Sequence, residues 1–322
     1  MDFHRIIAVI DALSHDEVIE AMAAGFISYS RGDVSVPPIQ TLGQPPLANF
    51  VGHPDAQACI KSAYVNGGEV FVAKIASGGG GSNSGLVLVF SQHTFRPEAI
   101  LLDGGWLTEL RTAGAGALSV KHCAPADVGA IAVIGCGIQA RWQLRLFASV
   151  VGCRRVLAWA RRPEQAAELA ADPDVVAAGW RVEVAGSLEQ ACRAANLVLC
   201  VTCAREPLVR AEWLAGRDAL VVAVGADSVG KQELEPACLT AASLRLADSR
   251  AQCVERGELQ HAVKRGLLQP DDVVEIGEWL ARAPRPPRPP GLVVFDSTGV
   301  AVQDVAIAEL ALKALREPRG RL

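Results

Sequence analysis

Apolar and polar positions along this chain change their rhythm more than once, and each change marks an element. Between Ser14 and Ser30 the period is helical. Val18, Ile19, Met22, Ala23, Phe26 and Ile27 form one stripe, and Ser14-His-Asp-Glu17 is a capping box, so an amphipathic helix over 14–30 is predicted. Residues 31–48 are rich in Pro and Gly and read as loop. Alternating segments follow at 58–65, 69–76, 86–91 and 98–102, separated by Asn66-Gly67-Gly68, by the glycines from Gly78 to Gly81, and by Thr94 to Pro97. That spacing predicts hairpins in an antiparallel or mixed sheet. Leu107 to Ala124 returns to helical character, with small residues (Ala113 to Ala117) suited to close helix contacts.

From residue 130 the pattern becomes a steady alternation. Apolar strands at 130–134, 155–160, 181–184, 197–201, 219–224, 243–247 and 292–296 are separated by helical segments, the signature of βαβ units in a parallel sheet. Pro284 to Gly291 reads as a stiff extended linker. A last helix is expected over 300–316, with Val305, Ala308, Leu312 and Leu315 on one face. The expected class is α/β: a first domain, then a doubly wound nucleotide-binding domain, with the tail returning to the first.

Composition narrows the function classes. The 322 residues are 50% apolar and 20% charged, as in a globular protein with a sizeable core. A net charge of −4 gives nothing that favours nucleic acid. No charge-free apolar run approaches the length of a membrane span, and Met-Asp-Phe-His-Arg does not open a secretory leader, so a cytoplasmic protein is the expectation. The nine cysteines are scattered singly, mostly inside apolar runs. Cys200-Val-Thr-Cys203 has redox or metal spacing but lacks a second Cys or His pair, and reads as structural, with no metal expected.

The most informative stretch is Ile131-Ala-Val-Ile-Gly135-Cys-Gly137-Ile138-Gln139-Ala140. An apolar strand runs into a Gly-x-Gly-x-x-Ala turn, and an apolar-periodic helix follows, the arrangement that holds a dinucleotide pyrophosphate. About 25 residues on, Leu157-Ala-Trp-Ala160-Arg161-Arg162 ends the second strand with two guanidinium groups and no carboxylate. An acidic residue there would read the ribose hydroxyl of NAD, whereas arginines suit a 2′-phosphate. NADP(H) is favoured, with NAD(H) left open. Lys74 and Lys61 sit in mid-strand, where a lysine either snorkels to solvent or faces an anion. Arg111 is expected near the start of the small-residue helix, an unfavourable place for a cation unless it binds a carboxylate. Asp227 follows the strand 219–224, at the carboxyl end where ligands of open α/β sheets bind.

Lys74, Asn83, Asp103-Gly104, Arg111-Thr112-Ala113, Gly135-x-Gly-x-Gln139-Ala140, Gly225-Ala-Asp227-x-x-Gly-Lys231-x-Glu233-Leu234 and Asp296-Ser-Thr-Gly-Val-Ala-Val-Gln-Asp304 occur in that order. In this combination, over nearly its whole length, the chain resembles the ornithine cyclodeaminase/mu-crystallin family. The resemblance implies a homodimer whose dimerisation and substrate domain (1–124 plus 300–322) is interrupted by a Rossmann domain (125–299). It implies a small imino- or amino-acid substrate, with Lys74 and Arg111 on its carboxylate, Lys74 also near the imine nitrogen, and Asp227 as acid/base. Thr112 would help hold the cofactor phosphates, and Thr202, Val224 and Ser297-Thr298-Gly299 would border the ribose and nicotinamide. The family usually carries an Arg after the early Pro; here Gln40 stands there, a neutral amide for which Lys61 would compensate. The leading expectation is an NADPH-dependent reductase of cyclic imino acids. An ornithine cyclodeaminase, a hydroxyproline dehydratase and a crystallin-like binding protein are the alternatives.

Overall fold

The computed structural model describes residues 3–43, 57–79, 82–284 and 286–316. The chain divides into two units, 1–111 with 300–322, and 112–299. The division falls inside the helix Trp106–Cys123, at 111/112. Residues 44–48 of the expected early loop, Gly80-Gly81 and Arg285 lie outside the described residues.

In the first unit the helix His15–Ser30 forms as its sequence dictates. Ser14 Oγ accepts from Glu17 N–H, and Glu17 returns a carboxylate to the Ser14 N–H. The expected loop after it carries two short strands, β1 (Val34–Ser35) and β2 (Gln40–Leu42). Both pair antiparallel with β3 (Gln57–Val65), because extended residues beside Pro37-Pro38 can bond an open sheet edge. β3 continues through β4 (Val70–Gly79) and β5 (Ser82–Ser91) to β6 (Pro97–Leu101), all antiparallel. Strand alternation buries Lys61, Ala63, Val72, Lys74, Val87 and Val89 on one face. On that side lies the C-terminal helix Val302–Arg316, which also packs on His15–Ser30. The two helices pack closely at Gly25, where a Cβ would lie in ordinary contact with Val302 Cγ2, 3.4 Å away. A further helix, Phe3–Ala12, precedes them and was not anticipated.

The second unit is a parallel sheet of β7 (Ile131–Ile134), β8 (Arg155–Trp159), β9 (Arg181–Val184), β10 (Leu197–Cys200), β12 (Ala219–Ala223), β14 (Leu244–Ala247), β15 (Val274–Glu275) and β16 (Leu292–Asp296). Their spatial order is β15-β14-β16-β12-β10-β7-β8-β9. The central strands are buried on both faces, which is why they read as continuous apolar runs. β11 (Arg205–Val209) and β13 (Gln232–Leu234) make a separate parallel pair that the sequence pattern did not reveal. The strand order reverses at β7, with β8 on one side and β10 on the other, and this switch point is where α/β sheets bind ligands. The proline-rich segment is pinned and does not act as a free spacer. Arg288 donates to the carbonyls of Cys123, Ala219 and Gly291 at 2.6, 3.0 and 2.9 Å, and it pairs with Asp218.

Candidate active site

Lys74 and Arg111 come together in the first unit, around a residue to which the sequence reading gave no role. Asp304, in the first turn of the C-terminal helix, places Oδ1 2.9 Å from Lys74 Nζ and 3.0 Å from Arg111 Nε. All three side chains are 5% exposed or less. Arg111 Nη1 also donates to Gln303 Oε1 at 2.9 Å. Lys61 stands directly across from Lys74 in the β3–β4 register and is buried with it. Like charges facing each other across a ladder are unfavourable without an anion nearby. Burial first, and the Arg111 charge second, push the Lys74 ammonium down to about 7 against the pull of Asp304. Burial opposes the Asp304 charge too, but Lys74, Arg111 and Lys61 outweigh it and hold the carboxyl below its ordinary value.

Arg111 does not open its helix. Asp103 accepts from the Leu107 N–H at 2.8 Å, so the helix starts at Trp106 and Arg111 lies in its second turn. The helix dipole therefore does not bear on Arg111, and its ion pair with Asp304 explains its position. Gln40 is exposed on the edge strand β2, opposite Ile60.

The remaining expected site residues belong to the second unit. Gly135 follows β7 with φ +99°, a conformation reserved for glycine. A Cβ there would strike Thr202 Cγ2 at 2.8 Å and the Val201 carbonyl at 2.9 Å, so the turn is pressed against the end of β10. The Gly135 N–H bonds the Trp159 carbonyl at the end of β8, 2.9 Å away. Gly137 caps the ten-residue helix Ile138–Phe147 without any side-chain hydrogen bond, and a Cβ on it would meet nothing within 4 Å. Uncapped amides at a helix N-terminus beside open space fit a dinucleotide's phosphates. Ala140 is fully buried under the turn, Ile138 is exposed, and Gln139 Oε1 accepts from Gln143. Gln143 also donates to the Thr112 carbonyl, at 3.1 Å. Arg161 and Arg162 are exposed just past β8, and Arg162 is the N-cap residue of the helix Pro163–Ala170.

Val224 ends the run of β12, and Asp227 lies beyond it, half-exposed and 2.6 Å from Lys231 Nζ. Burial disfavours the Lys231 ammonium, but Asp227 more than offsets this and the lysine is raised. Ser297 Oγ and the Gly299 N–H both donate to Asp248 Oδ2, at 2.8 and 2.7 Å, which fixes the Ser297-Thr298-Gly299 segment.

Around these loops lies a set of buried carboxyls to which the sequence reading assigned no role. Glu233 accepts from the Thr202 and Gly225 N–H groups, and Glu258 accepts from those of Glu233 and Leu234. Asp296 accepts from the Leu259 N–H. Burial pushes Glu233 and Asp296 up to about 7. These groups tie loop backbones together. Cys200 is buried and Cys203 exposed, both as free thiols, and no metal-holding group of acidic, His or Cys side chains occurs among the described residues.

The ornithine cyclodeaminase/mu-crystallin family model matches residues 2–317. The chain belongs to this family. An uncharacterized cyclodeaminase of Sinorhizobium fredii is 35% identical over 88% of this chain and 86% of its own length. The crystal structure of the iminosuccinate reductase of Paracoccus denitrificans, in complex with NAD+, is 30% identical, with a TM-score of 0.83 over 94% of this chain and 92% of that one. An archaeal alanine dehydrogenase dimer with bound NAD is 26% identical, with a TM-score of 0.82 over 95% and 93%. Such relatives of the family are nicotinamide-dependent reductases and cyclodeaminases. No helix among the described residues is long and apolar enough to cross a membrane.

Proposed function

We propose that this family member is a cytoplasmic, NADPH-dependent reductase of small α-imino acids, chiefly cyclic ones such as Δ1-pyrroline-2-carboxylate and Δ1-piperideine-2-carboxylate. The observation that carries the reading is the buried Lys74–Asp304–Arg111 cluster, with Lys61 across the ladder. Such a substrate has one carboxylate and one C=N bond. Lys74 and Arg111 hold the carboxylate, Lys61 adds charge to that field, and Gln40, a neutral amide, would offer at most a hydrogen bond. Asp227 supplies or relays the proton, directly or through a water, that makes the imine a better acceptor. A bound nicotinamide cofactor would supply the hydride. Thr112 and the residues Gly135 to Ala140 would hold its phosphates, and Thr202, Val224 and Ser297 to Gly299 would border its ribose and nicotinamide. Arg161 and Arg162 favour the 2′-phosphate of NADPH, while the NAD-bound relatives support a nicotinamide cofactor in general.

The reading includes a homodimer. The sheet face opposite the C-terminal helix carries Tyr64, Phe71, Phe90 and Phe95, with Phe71 and Phe90 stacked at 5.1 Å and Phe95 66% exposed. An aromatic surface of this kind suits burial against a second copy. The similarity to the Sinorhizobium protein, an uncharacterized cyclodeaminase, favours one other activity, a cyclodeamination, for which we take ornithine to proline with loss of ammonia as the reaction to test.

The test is cofactor oxidation. Purified protein with Δ1-pyrroline-2-carboxylate should consume NADPH with a kcat/KM about tenfold or more above that for NADH. No oxidation of either cofactor across several imino acids would sink the reductase, and ammonia release from ornithine without added reductant would establish the cyclodeaminase.

A further inference from the structure

Besides Arg111 Nε, which faces Asp304 Oδ1 as an ion pair without hydrogen-bond geometry, the cluster in the first unit contains two buried polar atoms that have no hydrogen-bond partner among the described residues. Asp304 spends Oδ1 on both Lys74 and Arg111, while its Oδ2 is buried without a hydrogen-bond partner among the described residues. Gln303, the adjacent residue, gives its Oε1 to Arg111, and its Nε2 is likewise buried and unbonded. Both residues are 1% exposed. The arginine fixes which way the amide faces: a guanidinium only donates, so the oxygen must meet it and the nitrogen must point elsewhere. Buried polar atoms are nearly always satisfied, and an orphaned acceptor beside an orphaned donor, next to two cations, calls for a ligand that supplies the complement.

We infer that Asp304 Oδ2 accepts the N–H of a bound α-imino or α-amino acid while Gln303 Nε2 donates to its carboxylate, so that the pair selects the imine over the corresponding 2-oxo acid. The assignment rests on the imino-acid reading above. Lys74 and Arg111 recognise any carboxylate, whether the neighbouring carbon carries nitrogen or oxygen. Asp304 Oδ2 does distinguish them. An iminium or amine N–H offers it a proton, and a keto oxygen offers it only lone pairs that the carboxylate repels. An imino acid in water stands in equilibrium with its 2-oxo hydrolysis product, so a reductase of the imine gains from this discrimination.

The experiment uses two stable ring carboxylates of nearly equal shape. Pyrrole-2-carboxylate presents an N–H where furan-2-carboxylate presents an ether oxygen. Their dissociation constants are measured by calorimetry on the full chain in the presence of NADPH. The wild-type protein should bind the pyrrole about tenfold or more tightly than the furan. Asp304→Asn, which turns an amide donor toward the ligand, should abolish or reverse that ratio. Gln303→Met should weaken both ligands alike and leave the ratio unchanged. Equal affinity for the two rings in the wild-type protein, or binding of neither, overturns the inference even if Asp304→Asn fails to fold. A protein that oxidises NADPH with imino acids yet shows equal affinities defeats this inference alone. Selective binding of the pyrrole with no turnover of any imino acid defeats the reductase reading alone.

Discussion

Two groups of buried charge, one in each unit, meet the cost of burial in opposite ways. In the second unit, Glu233, Glu258 and Asp296 are raised by burial and answered by backbone N–H groups, so they act as ties between loops. In the first unit, Asp304 stays below its ordinary value because cations surround it, and Lys74 bears the burial penalty instead. One set answers to the main chain and the other to charged side chains, although each keeps a buried oxygen with no hydrogen-bond partner among the described residues, Asp296 Oδ1 in the second unit and Asp304 Oδ2 in the first.

The contrast breaks most readily at Arg111. Arg111→Met leaves Asp304 with a single close cation and removes a carboxylate anchor, so kcat/KM for the imino acid should fall by about two orders of magnitude or more. The dissociation constant for NADPH, measured by fluorescence titration, should not change. An equal loss in both would make the cluster architectural. The next effect is on pH dependence. The Lys74 value is depressed to about 7, so the side chain is charged below that pH and neutral above it. The kcat/KM profile of the free enzyme should therefore fall as pH rises through about 7, and Lys74→Arg should remove that limb. A profile unaltered by the substitution would show that the charge of Lys74 does not govern binding. The smallest change in activity belongs to the other cluster. Glu258→Gln sets an amide N–H against a backbone N–H and should cost about 1–3 kcal/mol of stability, read from denaturant unfolding. Its kcat/KM on folded protein should match wild type. A selective loss of activity would blur the distinction between the clusters.

Much of the fold was legible because its signals are local. The capping box at Ser14, the turn at Asn66 to Gly68 and the apolar runs of the parallel strands each declare themselves within a few residues. What escaped depends on partners far along the chain. The two-residue strand β1 exists only because β3 supplies the edge beside it. The pairing of β11 with β13 needs Arg205 to meet Gln232, with little apolar patterning in either strand. At the site, Lys74 and Arg111 stood out as cations where apolar or dipole-compatible residues were due. Asp304 was hidden inside Val300–Ala308, although a carboxylate in so apolar a run, at the start of a helix, is itself the signal of a buried cation opposite. The buried Glu233 and Asp296 carry the same signature and answer to backbone instead, so the pattern alone does not separate the two uses.

The bond between Lys74 and Asp304 spans 230 residues of sequence. Lys74 is synthesised before Asp304, with the whole second unit, residues 112–299, in between. Contacts this distant are formed against the entropy of closing a long loop, and they arrive late. During synthesis the sheet of the first unit must therefore wait, its two inward lysines lacking the Asp304 carboxylate, until the helix Val302–Arg316 is released. Assembly of the Lys74–Asp304–Arg111 cluster then follows synthesis of the second unit, and a product cut short before residue 302 would lack both halves of the Gln303–Asp304 pair.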